Sequence, residues 1–224
     1  MSWESSALYY QLINQETKRR LGGHHNAKSL LHTVDFAVIE ACQRAGDWQQ
    51  TAAILADAAR GLERGGADCV VLCTNTMHMV AGQISAAVSI PLLHIVDVTA
   101  AAIRAAGQRR VGLLATEFTM AGEFYRGRMH ELGVEILLPS QPGRELVHRV
   151  IYDELCHGTI KPESRAAYRE IVADLAQRGA QGVVLGCTEV ELLLRPEDVA
   201  VSLYASTALH AAAAVRFALD DAGP

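Results

Sequence analysis

Gly66-Ala67-Asp68-Cys69-Val70-Val71-Leu72-Cys73-Thr74 recurs without a gap as Gly179-Ala180-Gln181-Gly182-Val183-Val184-Leu185-Gly186-Cys187. Each copy opens with a glycine, continues into a short run of valine and leucine, and ends on small or polar residues. A short apolar run of this kind is typical of a strand buried in a parallel sheet. Each copy also follows an alanine-rich amphipathic segment, which predicts a helix. The sequence therefore predicts two similar halves of helix and strand.

Further apolar runs alternate with amphipathic segments on both sides of the repeat. This alternation is typical of a doubly wound α/β fold, in which helices cover both faces of a parallel sheet. The predicted strands are 27–34, 69–73, 91–96, 111–115, 134–138, 183–186 and 199–203. We assign residues 1–96 and 206–224 to the first lobe and residues 97–205 to the second.

The two halves differ at their beginnings. The second opens with a strand at 111–115 before the turn Thr116-Glu117-Phe118-Thr119, whereas the first opens at the matching turn, Met1-Ser2-Trp3-Glu4-Ser5. The first strand of the first lobe is therefore expected to be missing. A parallel sheet without an inner strand leaves backbone groups unpaired, at about 1–3 kcal/mol each. We expect the natural chain, or a relative, to start about ten residues earlier, the length of a strand and its turn.

Composition excludes several classes of protein. The net charge is −5, and no basic stripe is present to neutralise the phosphates of a nucleic acid. The apolar runs are too short to cross a bilayer, and the N-terminus lacks the pattern of a signal peptide, so we expect a cytoplasmic protein without membrane contact. The five cysteines lack the spacing of a disulfide framework and are expected to be reduced thiols.

Polar clusters follow the strand in each copy of the repeat: Cys73-Thr74-Asn75-Thr76-Met77-His78 and Gly186-Cys187-Thr188-Glu189. Ligands of open parallel sheets bind at the carboxyl ends of the strands. If the lobes face each other across a pseudo-twofold axis, the two clusters flank a shared cleft. A thiol at a helix N-terminus has a lowered pKa, which makes Cys187 a candidate base. Its alternative role is that of a small apolar residue ending a buried strand.

These two clusters, the opening Met1-Ser2-Trp3-Glu4-Ser5 and the stretch Leu113-Leu114-Ala115-Thr116-Glu117-Phe118-Thr119 resemble the aspartate/glutamate racemase family. The resemblance runs along essentially the whole chain. It implies two similar lobes and racemisation without pyridoxal phosphate, in which two facing thiols remove and return the α-proton of an amino acid. It also implies a homodimer.

The sequence departs from that family at one catalytic position. The repeat aligns Cys187 with Thr74, and the family's Cys-Asn-Thr pattern likewise leaves Thr74 where the first catalytic cysteine belongs. The chain thus resembles the subgroup with a Thr/Cys pair, which works preferentially on L-amino acids. We expect Cys187 to take the α-proton of the L-substrate, and Thr74 or a water that it holds to serve the other face. The alternative second base is Cys73.

The resemblance also implies residues that bind the substrate. Asn75, Thr76 and Thr119 match the family's carboxylate binders, while Ser2, Thr116, Thr188 and Glu189 lie at neighbouring turns. Lys161, in Gly158-Thr159-Ile160-Lys161, matches a lysine that binds a distal carboxylate. Their alternative roles are helix capping for the hydroxyl and amide groups and a solvated loop charge for the lysine. Aspartate or glutamate is the first expected substrate, followed by homoserine or another polar amino acid.

No cofactor is expected. No glycine-rich phosphate loop accompanies a lysine, no Gly-x-Gly-x-x-Gly follows a strand, and no histidine pair has the spacing of a zinc motif. Two other functions stay open. The same scaffold resembles maleate isomerases and arylmalonate decarboxylases, which would use Cys187 as a nucleophile or proton donor. From another class, the chain would be an inactive amino-acid-binding module.

Overall fold

The computed structural model describes residues 2–220. Met1, which starts the predicted opening turn, and residues 221–224, at the end of the predicted first lobe, lie outside the described residues. The chain divides into two compact units. Residues up to His94 and from His210 onward form unit 1, and Ile95–Leu209 form unit 2. Within residues 2–220, no helix is both long enough and apolar enough to cross a bilayer.

Unit 1 packs its helices around a pair of parallel strands. Its elements are α1 (Trp3–Leu21), α2 (Phe36–Ala45), α3 (Trp48–Arg64), β1 (Val70–Val71), a 3-10 helix (Thr76–Val80), α4 (Ala81–Ser85) and β2 (Leu92–Leu93). Val70 lies opposite Leu92, and Val71 lies opposite Leu93. Ser2, Asp35 and Asp47 precede the first three helices, and each side chain accepts a backbone N–H of the first turn at 2.9–3.2 Å. These caps satisfy donors that a helix start leaves without a partner.

Unit 2 contains a four-stranded parallel sheet. Its elements are α5 (Ile95–Ala105), β3 (Arg110–Leu114), α6 (Glu117–Ala121), α7 (Glu123–Glu131), β4 (Glu135–Leu137), α8 (Gln141–Asp153), a 3-10 helix (Leu155–His157), α9 (Pro162–Gln177), β5 (Gly182–Leu185), α10 (Val190–Leu193), a 3-10 helix (Pro196–Asp198) and β6 (Ser202–Ala205). The strand order is β4-β3-β5-β6. The last helix, α11 (Ser206–Asp220), begins in unit 2 and continues into unit 1. All four residues of β5 are buried, as expected for an inner strand.

The repeat in the sequence is a repeat in structure. Gly66 and Gly179 open the two copies, and both have positive φ, +89° and +96°. Each glycine ends a helix, α3 or α9, and turns the chain into the following strand, β1 or β5. Other residue types rarely adopt this conformation, which explains a glycine at both positions. Strands flanked by helices in both units confirm the predicted α/β class.

The prediction of a strand at residues 27–34 is wrong. These residues have no regular secondary structure, and Leu30 and Leu31 are 51% and 59% exposed. The matching strand of unit 2, β4, pairs only with β3. Among the described residues, unit 1 has no equivalent of β3, so a strand at 27–34 has no neighbour with which to form a ladder.

Two other predicted strands differ in their limits. The strand predicted at 91–96 is confined to Leu92–Leu93, because α5 begins at Ile95. The strand predicted at 199–203 lies at Ser202–Ala205, where its register with β5 is set by Gly182 opposite Ser202. In the first case the apolar residues run past the strand into α5, which buries an apolar face of its own. In the second case the apolar residues Val199 and Val201 precede the strand and pack against the core without pairing.

We predict that Gly182→Ala destabilises unit 2. A β-carbon at this position would lie 2.7 Å from Tyr204 Cε2 and 2.9 Å from the backbone oxygen of Ser202, which cannot move aside without disturbing the ladder. Overpacking of this kind costs about 1–3 kcal/mol of the free energy of unfolding, measured by urea denaturation. The matched control is Gly82→Ala in α4, where a β-carbon meets nothing within 4 Å and stability stays level or rises. Equal stability of the two variants would contradict the packing argument.

Candidate active site

The turn after β5 packs tightly on the turn after β3. The backbone N–H of Gly186 donates to Leu114 O at 2.8 Å. A β-carbon on Gly186 would lie 2.9 Å from Ala115 Cβ, so only glycine permits this approach. The next residues along each turn, Cys187 and Thr116, therefore leave the sheet side by side at its carboxyl edge, the edge where parallel sheets bind ligands.

Cys187 and Thr188 both donate hydrogen bonds to one carboxylate. Cys187 Sγ lies 2.9 Å from Glu189 Oε2, and Thr188 Oγ1 lies 2.5 Å from the same oxygen. A thiol proton and a carboxylate oxygen at this distance are in position for proton transfer. Substrate binding by Glu189 stays a prediction, and the geometry adds contact with the thiol, which sequence reasoning missed.

The pKa of Cys187 is raised well above its ordinary value, firstly by burial and secondly by the negative charge of Glu189. The expectation of a lowered pKa is therefore wrong. The helix that follows, α10, spans only Val190–Leu193, and a helix this short has a weak dipole. At neutral pH the pair is a thiol beside a carboxylate, so a thiolate at this position requires an acceptor for its proton.

Thr116 and Thr119 form a second polar group at the carboxyl edge of the unit 2 sheet. Both side chains are buried, and their Oγ1 atoms lie 3.3 Å apart. The backbone oxygen of Thr116 accepts the N–H groups of Thr119 and Met120 at 2.9 Å each. The turn that starts α6 thus brings together two of the predicted carboxylate binders.

In unit 1, the predicted residues of the first cluster follow β1. Asn75 and Thr76 are buried, and Thr74 is partly exposed. The N–H of Thr74 donates to Leu72 O at 2.7 Å, which folds the chain sharply after the strand. Ser2 lies at the start of α1, where its Oγ accepts from the N–H of Ser5 at 3.2 Å, so its observed contact is that of a helix cap.

Cys73, the alternative second base, points its thiol back at its own strand. Its Sγ lies 3.6 Å from Val71 O, and burial raises the pKa of this thiol to about 11. These surroundings favour a protonated sulfur. Whether Thr74 or Cys73 serves the second face of the substrate stays a prediction.

Lys161 precedes α9 and is exposed. Its Nζ lies 3.2 Å from Glu154 Oε1, while Ser164 Oγ donates to Glu154 Oε2 at 2.6 Å. These hydrogen bonds, that of Ser164 foremost, lower the pKa of Glu154. A distal carboxylate of a substrate would compete with Glu154 for the lysine.

A second carboxyl group, that of Glu191, was also not indicated by the sequence. Its Oε1 accepts the N–H of Thr207 at 3.0 Å, at the start of α11, and burial raises its pKa to about 7. Only the pairing of β5 with β6 brings these distant residues together, so no local motif indicates the contact. Within residues 2–220, no three His, Cys, Asp or Glu side chains are grouped so as to hold a metal ion.

We predict that Glu189→Gln lowers the pKa of Cys187. The amide removes the negative charge that disfavours the thiolate, while burial remains, so the pKa falls but stays above its ordinary value. Alkylation of Cys187 by iodoacetamide is followed site by site with mass spectrometry from neutral to alkaline pH, and the midpoint of its pH dependence therefore shifts to lower pH. Glu163→Gln, which removes one carboxylate at an exposed position in α9, is the control for the change in net charge. An unchanged or higher midpoint in Glu189→Gln would argue against this electrostatic account.

Comparisons with known proteins agree with these observations. The profile of the Asp/Glu/hydantoin racemase family matches residues 1–214. A Yersinia pestis protein assigned to the Asp/Glu racemases has a similar crystal structure, with a TM-score of 0.93, 49% sequence identity, and coverage of 98% of this chain and 96% of that one. The structure of an aspartate racemase homologue from Pyrococcus horikoshii has a TM-score of 0.85 and 30% identity, over 97% of this chain and 95% of that one.

A curated relative, the glutamate racemase of Desulforudis audaxviator, is 29% identical over 151 residues, which make up 63% of this chain. The matched part spans 54% of that relative's length.

Proposed function

Because the chain belongs to the Asp/Glu/hydantoin racemase family, we propose that it is an isomerase that interconverts L- and D-aspartate or glutamate without a cofactor, favouring the L-substrate. The observation that carries this proposal is the hydrogen bond of 2.9 Å between Cys187 Sγ and Glu189 Oε2. It offers a route for the thiol proton to leave and for a thiolate to form where a substrate binds.

The first half-reaction uses this pair. The thiol proton of Cys187 moves to Glu189 Oε2, which leaves a thiolate beside a neutral carboxyl group. The thiolate then takes the α-proton of the L-amino acid, and the bond electrons stay on the α-carbon as a carbanion. Thr188, which donates to the same oxygen of Glu189, keeps the carboxyl group aligned. General acid–base catalysis of this kind contributes about 10²–10⁴ in rate.

The second half-reaction delivers a proton to the opposite face of the α-carbon. We assign this face to Thr74, or to a water that it holds, because the repeat aligns Thr74 with Cys187. The donor then regains a proton from solvent, and Glu189 releases its proton to solvent, so that both groups return to their starting states. A threonine hydroxyl is a far weaker acid and a far less accessible base than a thiol. The enzyme is therefore asymmetric, and removal of the α-proton from the L-substrate is the faster direction.

The carbanion is stabilised by hydrogen bonds to the substrate α-carboxylate, because preorganised donors act where negative charge develops. The proposed donors to this carboxylate are Asn75, Thr76 and Thr119, with the neighbouring hydroxyl groups of Ser2 and Thr116. Thr188 and Glu189 are proposed to bind elsewhere on the substrate, since the Glu189 carboxylate only accepts hydrogen bonds. The paired hydroxyl groups of Thr116 and Thr119, both buried, support this role since burial strengthens such hydrogen bonds. For the side-chain carboxylate we propose Lys161.

We also propose a cytoplasmic homodimer whose only other partner is its amino-acid substrate, without nucleic acid or membrane contact. The net charge of −5 and the five cysteines, each a free thiol, are consistent with this setting.

The test is incubation of the protein with a panel of L- and D-amino acids in D₂O while NMR follows loss of the α-proton signal. We expect exchange and racemisation with aspartate or glutamate, and a loss of at least about a hundredfold in exchange of the L-substrate in Cys187→Ser. Cys42→Ser, in α2 of unit 1, is the matched control. Wild-type rates in Cys187→Ser would refute the assignment of Cys187.

The same assay, with maleate and an arylmalonate added to the panel, separates the alternatives. Exchange with homoserine but not with acidic substrates would correct the substrate class. Turnover of an arylmalonate or maleate without α-proton exchange would replace the racemase proposal by those reactions. Tight binding with no exchange would favour the inactive module. Loss of D-substrate turnover in Thr74→Ala but not in Cys73→Ser supports Thr74, and the reverse supports Cys73.

For Lys161 we predict that Lys161→Gln raises KM for aspartate and glutamate about tenfold or more, as expected for the loss of a charge-assisted hydrogen bond. Homoserine, which has no side-chain carboxylate, is affected less. Lys28→Gln, which removes an exposed lysine from unit 1, is the matched control. An equal rise in KM for acidic and neutral substrates would exclude Lys161 as the residue that selects the side chain.

A further inference from the structure

Three histidines from distant parts of the sequence meet in unit 1, next to the turn that contains Thr74. His78 lies in the 3-10 helix, His94 follows β2, and His210 lies in α11. The ring of His78 lies 4.6 Å from that of His94 and 5.9 Å from that of His210, measured between centroids. His78 and His210 are 3% and 0% exposed. The reaction proposed above uses none of these rings, so their burial calls for another explanation.

The hydrogen bonds determine which nitrogen of each ring carries a proton. His78 Nδ1 lies 2.7 Å from the backbone oxygen of Thr74, and His210 Nε2 lies 2.8 Å from that of Leu93. A carbonyl oxygen only accepts, so both of these nitrogens donate. His210 Nδ1 is then the acceptor for the hydroxyl of Tyr9, at 2.8 Å.

The surroundings keep both rings neutral. The pKa of His78 is lowered well below its ordinary value by burial and by the nearby His94 and His210. Burial lowers the pKa of His210 to about 4. A neutral ring has one N–H. The backbone oxygens of both Thr74 and Leu93 interact with the ring of His78, and the contact of 2.7 Å between Nδ1 and the Thr74 oxygen leads us to assign that N–H to Nδ1. This proton arrangement is the less common of the two neutral forms.

The consequence is a fixed backbone at residue 74. Its N–H is held by Leu72 O at 2.7 Å, and its carbonyl is held by His78. With both sides of the residue bound, the direction in which the Thr74 side chain leaves the backbone is fixed. The ring of His78 packs edge-on against the rings of His94, which follows β2, and His210, which lies in α11.

We propose that His78 is a positioning residue, which orients Thr74 for proton delivery by donating its Nδ1–H to the Thr74 carbonyl. This inference rests on the function proposed above. His78 acts through Thr74 and does not itself exchange a proton with the substrate. The half-reaction of Cys187 is independent of this contact.

Two substitutions of His78 test the role. The side-chain nitrogen of asparagine is able to occupy the place of Nδ1, whereas that of glutamine reaches the place of Nε2. We expect His78→Gln to lower α-proton exchange of the D-substrate about tenfold, while exchange of the L-substrate stays within about twofold of wild type. His78→Asn recovers most of the lost rate. Thermal unfolding of both variants serves as the control for folding.

A second measurement does not depend on activity. Long-range nitrogen–proton NMR correlations of the wild-type protein identify the protonated nitrogen of each histidine. The inference expects Nδ1–H for His78 and Nε2–H for His210. It is overturned by Nε2–H on His78, by equal rates in His78→Asn and His78→Gln, or by equal losses with the two enantiomers. If wild-type protein exchanges no α-proton, the racemase proposal fails, and the positioning role fails with it even where the NMR signature is as expected.

Discussion

The hydrogen bond of 2.9 Å between Cys187 Sγ and Glu189 Oε2 is the contact on which the proposed chemistry depends. Burial and the carboxylate charge both raise the pKa of the thiol, so in the proposed reaction the sulfur becomes a base only when Glu189 takes its proton. The geometry depends on the sheet beneath it. Gly186 permits the turn after β5 to approach Ala115, and Thr188 donates a second hydrogen bond to the same carboxylate oxygen of Glu189.

The two copies of the repeat have the same backbone design and different chemistry. In each, a glycine with positive φ ends a helix, a strand follows, and a polar turn leaves the carboxyl end of that strand. At the aligned last position, one copy has a cysteine beside a carboxylate and the other has Thr74, whose carbonyl is held by a neutral histidine. In the proposed reaction, these unequal proton carriers on a shared scaffold would account for the preference for the L-substrate.

The sequence predicted the α/β class, the repeat and four strands near their observed places, because buried strands of a parallel sheet leave a clear apolar pattern. It did not predict that residues 27–34 are exposed, since the valine and leucine content of a segment says nothing about whether a neighbouring strand exists. It also predicted the wrong direction for the pKa of Cys187. The contact of Glu189 with the thiol depends on the side-chain rotamers of two residues that are close in sequence. The contact of His210 with Tyr9 joins elements at opposite ends of the chain. The spacing of residues in the sequence encodes neither contact.

The central claim is that Glu189 is the proton acceptor of Cys187. The pH dependence of kcat/KM for α-proton removal from the L-substrate tests it most directly, in wild type and in Glu189→Gln. The claim predicts a flat profile around neutral pH for wild type. In the variant the thiol must lose its proton to solvent, so the rate rises about tenfold per pH unit over the same range. Parallel profiles for the two proteins would contradict the claim, because they would show that the thiolate forms without this carboxylate.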